Sequence, residues 1–283
     1  MALSACAGTS NQSTSKVDGL DALGTVQVIS REDGSGTRNA FAQLLGFDDS
    51  EDEAKSDRTT EDAVIAEDAE AVIAAVRVEE SAIGYISMGS LDNLENETVL
   101  SVDGVADTIE NVKKGSYTIS RPFLLAWSGS LSDLEEDFLT YIDGKGQNIV
   151  GESYVTVGES TTFLSGQYAG TITIHGSTSA APLLEELAAE YMEINTNAVV
   201  EVVATDSTSG LNDAMQGACD FGAASRELKS YEEELLDYQI FAYDGIAVIV
   251  NEANPLTDVT AEELADLFTG EIENWDEINA GRE

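Results

Sequence analysis

The chain has 283 residues, 42% of them apolar, with 54 acidic and 13 basic side chains and a formal net charge of −41 at pH 7. That length fits two lobes of roughly 130 residues, each with apolar material for a core of its own. The acidity excludes a nucleic-acid footprint and a basic patch for anionic lipid, and no apolar run approaches the ~18 residues of a membrane span.

Residues 1–23 read as a leader. "LSAC", ending at Cys6, has the form of a bacterial lipobox, and the Ser/Thr/Gly-rich stretch after it has the composition of a tether. Cys6 is therefore a candidate for lipidation, with an unmodified leader as the alternative. Val26–Ser30 is a β-branched run and predicts a strand. A turn and a helix from about Thr37 to Leu45 follow. Residues 46–60 are polar and acidic and read as a surface loop. The spacing of Val64, Ile65, Val72, Ile73 and Val76 predicts a helix over 61–77. "AIGYIS" (82–87) and "TVLSV" (98–102) read as strands, Tyr117–Trp127 as a long apolar segment, and Leu131–Tyr141 as an amphipathic helix. Residues 146–170 show little pattern.

The opening organisation then recurs. "TITIH" (171–175) precedes "GSTS" and a helix from Ala181 to Met192. "AVVEVVA" (198–204) precedes "TDSTSG" and a helix to about Gly217. "DFGAAS" and "GIAVIVN" (245–251) are buried strands. "TAEELADLF" (260–268) opens with Thr260 and Glu263, the signature of a capping box. Strands alternating with helices imply α/β architecture with mostly parallel sheets.

Three strand-to-helix turns carry small hydroxyl and glycine residues: Gly34-Ser35-Gly36-Thr37, Gly176-Ser177-Thr178-Ser179 and Ser207-Thr208-Ser209-Gly210. A helix start presents free N–H groups and about half a positive charge, glycine admits close approach, and hydroxyls add short donors. Each turn alone reads as an ordinary N-cap. Three in one chain, one with Arg31 beside it, point to an anion site. "GSGTRN" lacks the third glycine of a dinucleotide fingerprint, and no Gly-Lys-Ser/Thr of a phosphate-binding loop occurs. The single histidine, His175, reads as a packed strand-end residue, and Cys219 as a small core residue. No metal-ligand spacing of Cys or His, no nucleophile elbow and no cofactor motif is present, which argues against an enzyme.

"ISREDGSGTRNAF", "AIGYIS", "TISRPFLL", "IHGSTSAAPLLEELAAEY", "TDSTSG", "CDFGAASREL", "DGIAVIVNEANPL" and "FTGEIENW" together resemble the extracellular phosphate-binding protein of bacterial phosphate ABC transporters. The resemblance covers nearly everything after residue 24. It implies a two-lobed, periplasmic-binding-protein-like fold of type II that closes on one inorganic phosphate. It also implies no reaction, a membrane permease as partner, and a place on the outer face of a cell membrane, as a lipoprotein of a Gram-positive bacterium. By motif position the ligand groups are Thr178, Ser179 and Ser207 from one lobe and Arg31, Ser35, Gly36 and Thr37 from the other, with Asp33 orienting Arg31. Some relatives carry an aspartate where this chain has Ser225. Asp206 is then a candidate to accept the phosphate's proton, with N-cap as its other reading, and Arg226 is a candidate second cation.

The order of segments departs from the family, which begins at the GSTS segment and reaches REDGSGTR late. The resemblance therefore implies a circular permutant, with a split tandem array as the alternative. One lobe would be 118–247 and the other 24–117 plus 248–283, hinged at Tyr117–Trp127 and Gly245–Asn251. The rival functions are binding of another tetrahedral oxyanion (sulfate, molybdate), a phosphate-sensing or adhesion role on the same fold, and phosphoester hydrolysis.

Overall fold

A computed structural model describes residues 19–48 and 56–278. Cys6, most of the leader and part of the 46–60 loop lie outside the described residues. The first lobe opens with β1 (Gln27–Arg31), α1 (Gly36–Leu44), β2 (Val64–Ala66), α2 (Ala69–Val78), β3 (Ala82–Ser87), β4 (Thr98–Val102) and α3 (Ile109–Lys113). The chain then crosses by β5 (Ser120–Trp127) to α4 (Asp133–Asp143), α5 (Gln147–Ser153), β6 (Val155–Thr156), β7 (Gly170–Ser177), α6 (Ala181–Ile194), β8 (Ala198–Thr205), α7 (Ser207–Gln216), β9 (Phe221–Ala224) and α8 (Ser230–Glu233). It returns through β10 (Asp237–Val250) to β11 (Asp258–Val259) and α9 (Ala261–Thr269).

Each lobe is built on three parallel strands, β2-β1-β3 and β8-β7-β9. They are joined through antiparallel crossing strands. Asp237–Gly245 of β10 pairs with β5, and Ile246–Val250 pairs with β3. Ile246–Val250 is fully buried, so its sequence is continuously apolar rather than alternating. Two main aromatic cores result. Phe41 stacks on Tyr85 at 4.2 Å and meets Phe268 edge-on at 4.8 Å in one. Phe138, Tyr141 and Tyr191 cluster in the other. The two ends of the described chain meet: the Val26 N–H donates to Glu273 O at 2.8 Å, and the Trp275 N–H to Gly24 O at 3.0 Å.

Several boundaries differ from expectation. The helix expected over 61–77 is β2 followed by α2. Asp68 caps α2 by accepting from the Ala71 N–H at 2.8 Å, and the exposed, β-branched Val64 and Ile65 add an edge strand to β1. The apolar spacing there combined a strand edge with a helix face. The patternless stretch 146–170 contains α5 and β6, held by tertiary contacts: buried Gln147 donates to Ile142 O and Phe241 O and accepts from the Val157 N–H. The strand expected from Gly245 begins at Asp237. The expected capping box is present, Thr260 Oγ1 accepting from the Glu263 N–H at 3.1 Å and the Thr260 N–H donating to Glu263 Oε2 at 2.9 Å. Cys219 is half-buried rather than central to a core.

Candidate functional site

The hydroxyl-rich turns stand where parallel strands end and helices begin. β1 ends at Arg31 and α1 begins at Gly36. Ser35 is its N-cap, accepting from the Arg38 N–H at 3.4 Å. β7 ends at Ser177, whose Oγ accepts from the Ala180 N–H at 3.3 Å ahead of α6. Asp206 caps α7, which begins at Ser207. These helices run 9, 14 and 10 residues, long enough to present a positive N-terminus.

The two lobes touch through these turns. Arg31 Nη2 donates to Thr178 Oγ1 at 2.9 Å, and Thr37 Oγ1 and Ser179 Oγ share a hydrogen bond at 2.8 Å. Thr208 donates to Gly34 O through its N–H at 3.3 Å and its Oγ1 at 3.2 Å. Gly36 lies so close to Ser207 Oγ and Ser225 Oγ that a β-carbon there would overlap both. Beneath it, Ser177 Oγ donates to Ser225 Oγ at 2.8 Å, and the Ser225 N–H donates to Ser207 Oγ at 3.1 Å. Arg31, Ser35, Thr37, Ser177, Ser179, Ser207 and Ser225 are all buried. The structure thus brings Arg31, Ser35, Gly36, Thr37, Thr178, Ser179, Ser207 and Ser225 into one cluster between the lobes.

Arg31 is held by its surroundings. Its N–H donates to Tyr85 Oη at 3.3 Å, and Ser30 Oγ lies 2.9 Å from the same oxygen. Burial pushes the Tyr85 hydroxyl up to about 12, so it stays a neutral partner. The guanidinium donates to Ala66 O and Glu67 O and is chelated by Glu32, at 2.9 Å from both Nε and Nη2. Glu32 therefore takes the role expected of Asp33. The Asp33 side chain is 99% exposed and pairs with Arg38 instead, at 3.1 Å. β1 has ended at Arg31, so the strand rule that sends neighbouring side chains to opposite faces no longer separates Glu32 from it.

The other guanidinium groups around the cluster are matched in the same way. Arg38 pairs with Asp57 at 2.5 Å. Arg226 pairs with buried Glu232 at 2.7 and 2.9 Å and sends one longer bond, 3.4 Å, to Thr208 Oγ1. Burial raises the Glu232 carboxyl, but the Arg226 hydrogen bonds and charge outweigh it and leave it below its ordinary value. Asp206 uses both oxygens on Ser209, accepting from its N–H at 2.8 Å and its Oγ at 2.5 Å. With cations and carboxylates neutralising one another, an anion placed here would be met by helix N–H groups, hydroxyls and the Arg31 guanidinium.

Sequence reasoning missed a layer below. Arg121 Nη1 donates to Ser225 O at 3.2 Å, and its Nε donates to Asp244 Oδ2 at 2.9 Å. Asp244 Oδ1 accepts from Ser87 Oγ at 2.7 Å and the Met88 N–H at 3.1 Å. All three side chains are buried. The available signal was a lone charge inside or at the edge of each apolar run, "SRPFLLAW" and "YDGIAVIV". His175 lies on β7 with Nδ1 2.8 Å from Asp213 Oδ2, outside the hydroxyl cluster. Among the described residues no group of three or more His, Cys, Asp or Glu could hold a metal ion, and no helix is long and apolar enough to cross a membrane.

The sequence profile of the PBP superfamily domain matches residues 8–143 and 161–283. Phosphate-binding protein PstS 2 of Streptococcus pneumoniae is 38% identical over 260 residues, 91% of this chain and 89% of the relative. Phosphate-binding protein PstS 2 of Streptococcus agalactiae is 34% identical over 284 residues, 99% of this chain and 94% of the relative. The crystal structure of a phosphate-binding protein of a phosphate ABC transporter from S. pneumoniae superposes with a TM-score of 0.76. It is 38% identical and covers 90% of this chain and 100% of that one. The chain belongs to the PBP superfamily and, within it, to the family of these PstS phosphate-binding proteins.

Proposed function

We propose that this member of the PstS family captures inorganic phosphate between its lobes and delivers it to an ABC-type permease, without catalysing a reaction. The observation that carries the reading is the meeting of three helix N-termini and the Arg31 guanidinium across the cleft, with hydrogen bonds running from lobe to lobe. The names of the relatives, phosphate-binding proteins of a transporter, support the choice of anion. The ligand groups are Arg31, Ser35, Gly36, Thr37, Thr178, Ser179 and Ser207, with Ser225 at the floor. Arg226 braces Thr208 rather than facing the anion alone.

The lobes in this reading are 118–247 and 24–117 plus 248–283, supported by two main cores that divide near β5 and β10. A permuted order is supported by the pairing of residues 24–26 with 273–275 inside one chain. The long linear match to the pneumococcal relative supports an order shared within this branch. The proposed location is the outer face of the cell membrane, and lipidation of Cys6 would tether the chain there.

Calorimetric titration tests the reading, with phosphate, sulfate and molybdate run in parallel and a generic phosphoester as a turnover control. Phosphate should bind tightest, with one anion per chain and no turnover. Tighter sulfate or molybdate binding would move the assignment to another oxyanion.

A further inference from the structure

A buried carboxyl group stands beside the crossing strands with no hydrogen-bond partner among the described residues. Asp107 lies between β4 and α3 and is 7% exposed. Both of its carboxyl oxygens are buried, and neither has a hydrogen-bond partner among the described residues. The group rests on the backbone of Gly245, where a β-carbon would overlap Oδ1. At Gly245 β10 leaves its pairing with β5 and starts its pairing with β3, so the carboxyl touches a crossing strand between the lobes. The titratable groups facing Asp107 are Asp244 on β10 and Tyr117 ahead of β5. Arg121 on β5 lies beyond and is committed to Asp244 at 2.8 Å. No cation among the described residues forms an ion pair with Asp107.

We propose that Asp107 is a proton-binding site of the hinge, taking up one proton when the lobes close on the anion and releasing it when they open. The proposal rests on the closing-lobe reading above. An ionised carboxylate at this position would be a second buried negative charge beside Asp244, and unpaired buried charge is strongly disfavoured. Burial first, and repulsion from Asp244 second, push the Asp107 carboxyl up to about 8. Opening about the crossing strands lets water reach the group, and a hydrated aspartate titrates near its ordinary value of about 4. The sign follows. The closed form binds more protons than the open form between those two values, so anion affinity falls as pH rises through the window and levels off above it.

Phosphate affinity of the wild type and of Asp107→Asn, measured by calorimetry from about pH 5 to 9 in buffers of different ionisation heat, tests this. The variant keeps the shape of the side chain and cannot titrate, so the protonation of phosphate itself cancels in the ratio of the two affinities. The wild-type to variant ratio should fall at least about tenfold between roughly pH 6 and pH 9, and the wild type should take up close to one more proton per anion near the lower end. A flat ratio overturns the proposal, including a variant weaker by the same factor throughout, which would make Asp107 a packing residue. Thermal melting at saturating phosphate is a second arm, with anion-free melting as its control. In the closed form a value raised above the ordinary one costs stability as pH climbs from about 4 to about 8, so the loaded variant should gain on the loaded wild type across that range, while the anion-free difference stays flat. If neither protein binds phosphate, the phosphate reading fails, and the same series run with whichever of sulfate or molybdate binds decides the proton site; binding of none removes both readings. A pH-independent melting difference in the loaded form would remove the proton site.

Discussion

Arg31 gathers Glu32, Thr178 and two backbone carbonyls around one guanidinium, and this geometry is what a lysine cannot reproduce. Arg31→Ala should lower anion affinity by at least about 2 kcal/mol, roughly 30-fold, read by calorimetry. Its effect on anion-free stability should stay near 1 kcal/mol, because Glu32 keeps partial access to water. Gly36 faces two hydroxyls where a β-carbon would stand. Gly36→Ala should therefore cost at least about 100-fold in affinity, while the melting temperature of the anion-free protein holds or rises, alanine being the better helix former. Equal affinity in that variant would mean that the lobes do not need to meet at Ser207 and Ser225. Asp206 has both oxygens engaged by Ser209, so Asp206→Asn should leave the phosphate-to-sulfate ratio within about twofold in a competition titration.

At the level of elements, the site is three helix starts set on strand ends, and its floor is the pair of crossing strands. The caps have a local cost of removal: Asp206→Ala should destabilise α7 and the protein by about 1 kcal/mol. The floor is more sensitive. Asp244→Ala leaves the buried Arg121 guanidinium without its counter-charge and two donors, Ser87 Oγ and the Met88 N–H, without an acceptor. Because both charged side chains are essentially inaccessible, solvent screening does not soften the loss, and about 3–5 kcal/mol should disappear from urea unfolding. A loss below about 1 kcal/mol would show that Arg121 finds another acceptor on opening.

For the whole molecule, 54 acids against 13 bases generate self-repulsion that salt screens over about 10 Å at 0.1 M. Raising sodium chloride from about 0.05 to 0.5 M should raise the melting temperature and speed anion arrival, while anion dissociation, governed by the dry cluster, changes little. The adjacency of the described ends carries a separate test. A variant joined across the present termini and reopened within 158–166, a stretch without regular structure between β6 and β7, should recover the same fold and anion affinity. Failure to fold would assign the present order a role in folding itself.

The α/β class, the parallel units and the three hydroxyl-glycine turns that meet between the lobes were legible in the chain, because strand runs, glycine-hydroxyl turns and helix caps are local features of a few neighbouring residues. The switch of partner from Asp33 to Glu32, the split of the 61–77 segment, α5 held through Gln147, and the stack of Ser225, Arg121, Asp244 and Asp107 were not. Each depends on which side chain reaches a buried spot from a distant part of the chain: Arg121 and Asp244 are 123 residues apart, and Arg31 and Thr178 are 147. Local pattern determined the chemistry of the turns. Packing of the two lobes decided which donors, acceptors and carboxyl groups lost their water, because desolvation is a property of the packed interior and leaves no periodic trace in sequence.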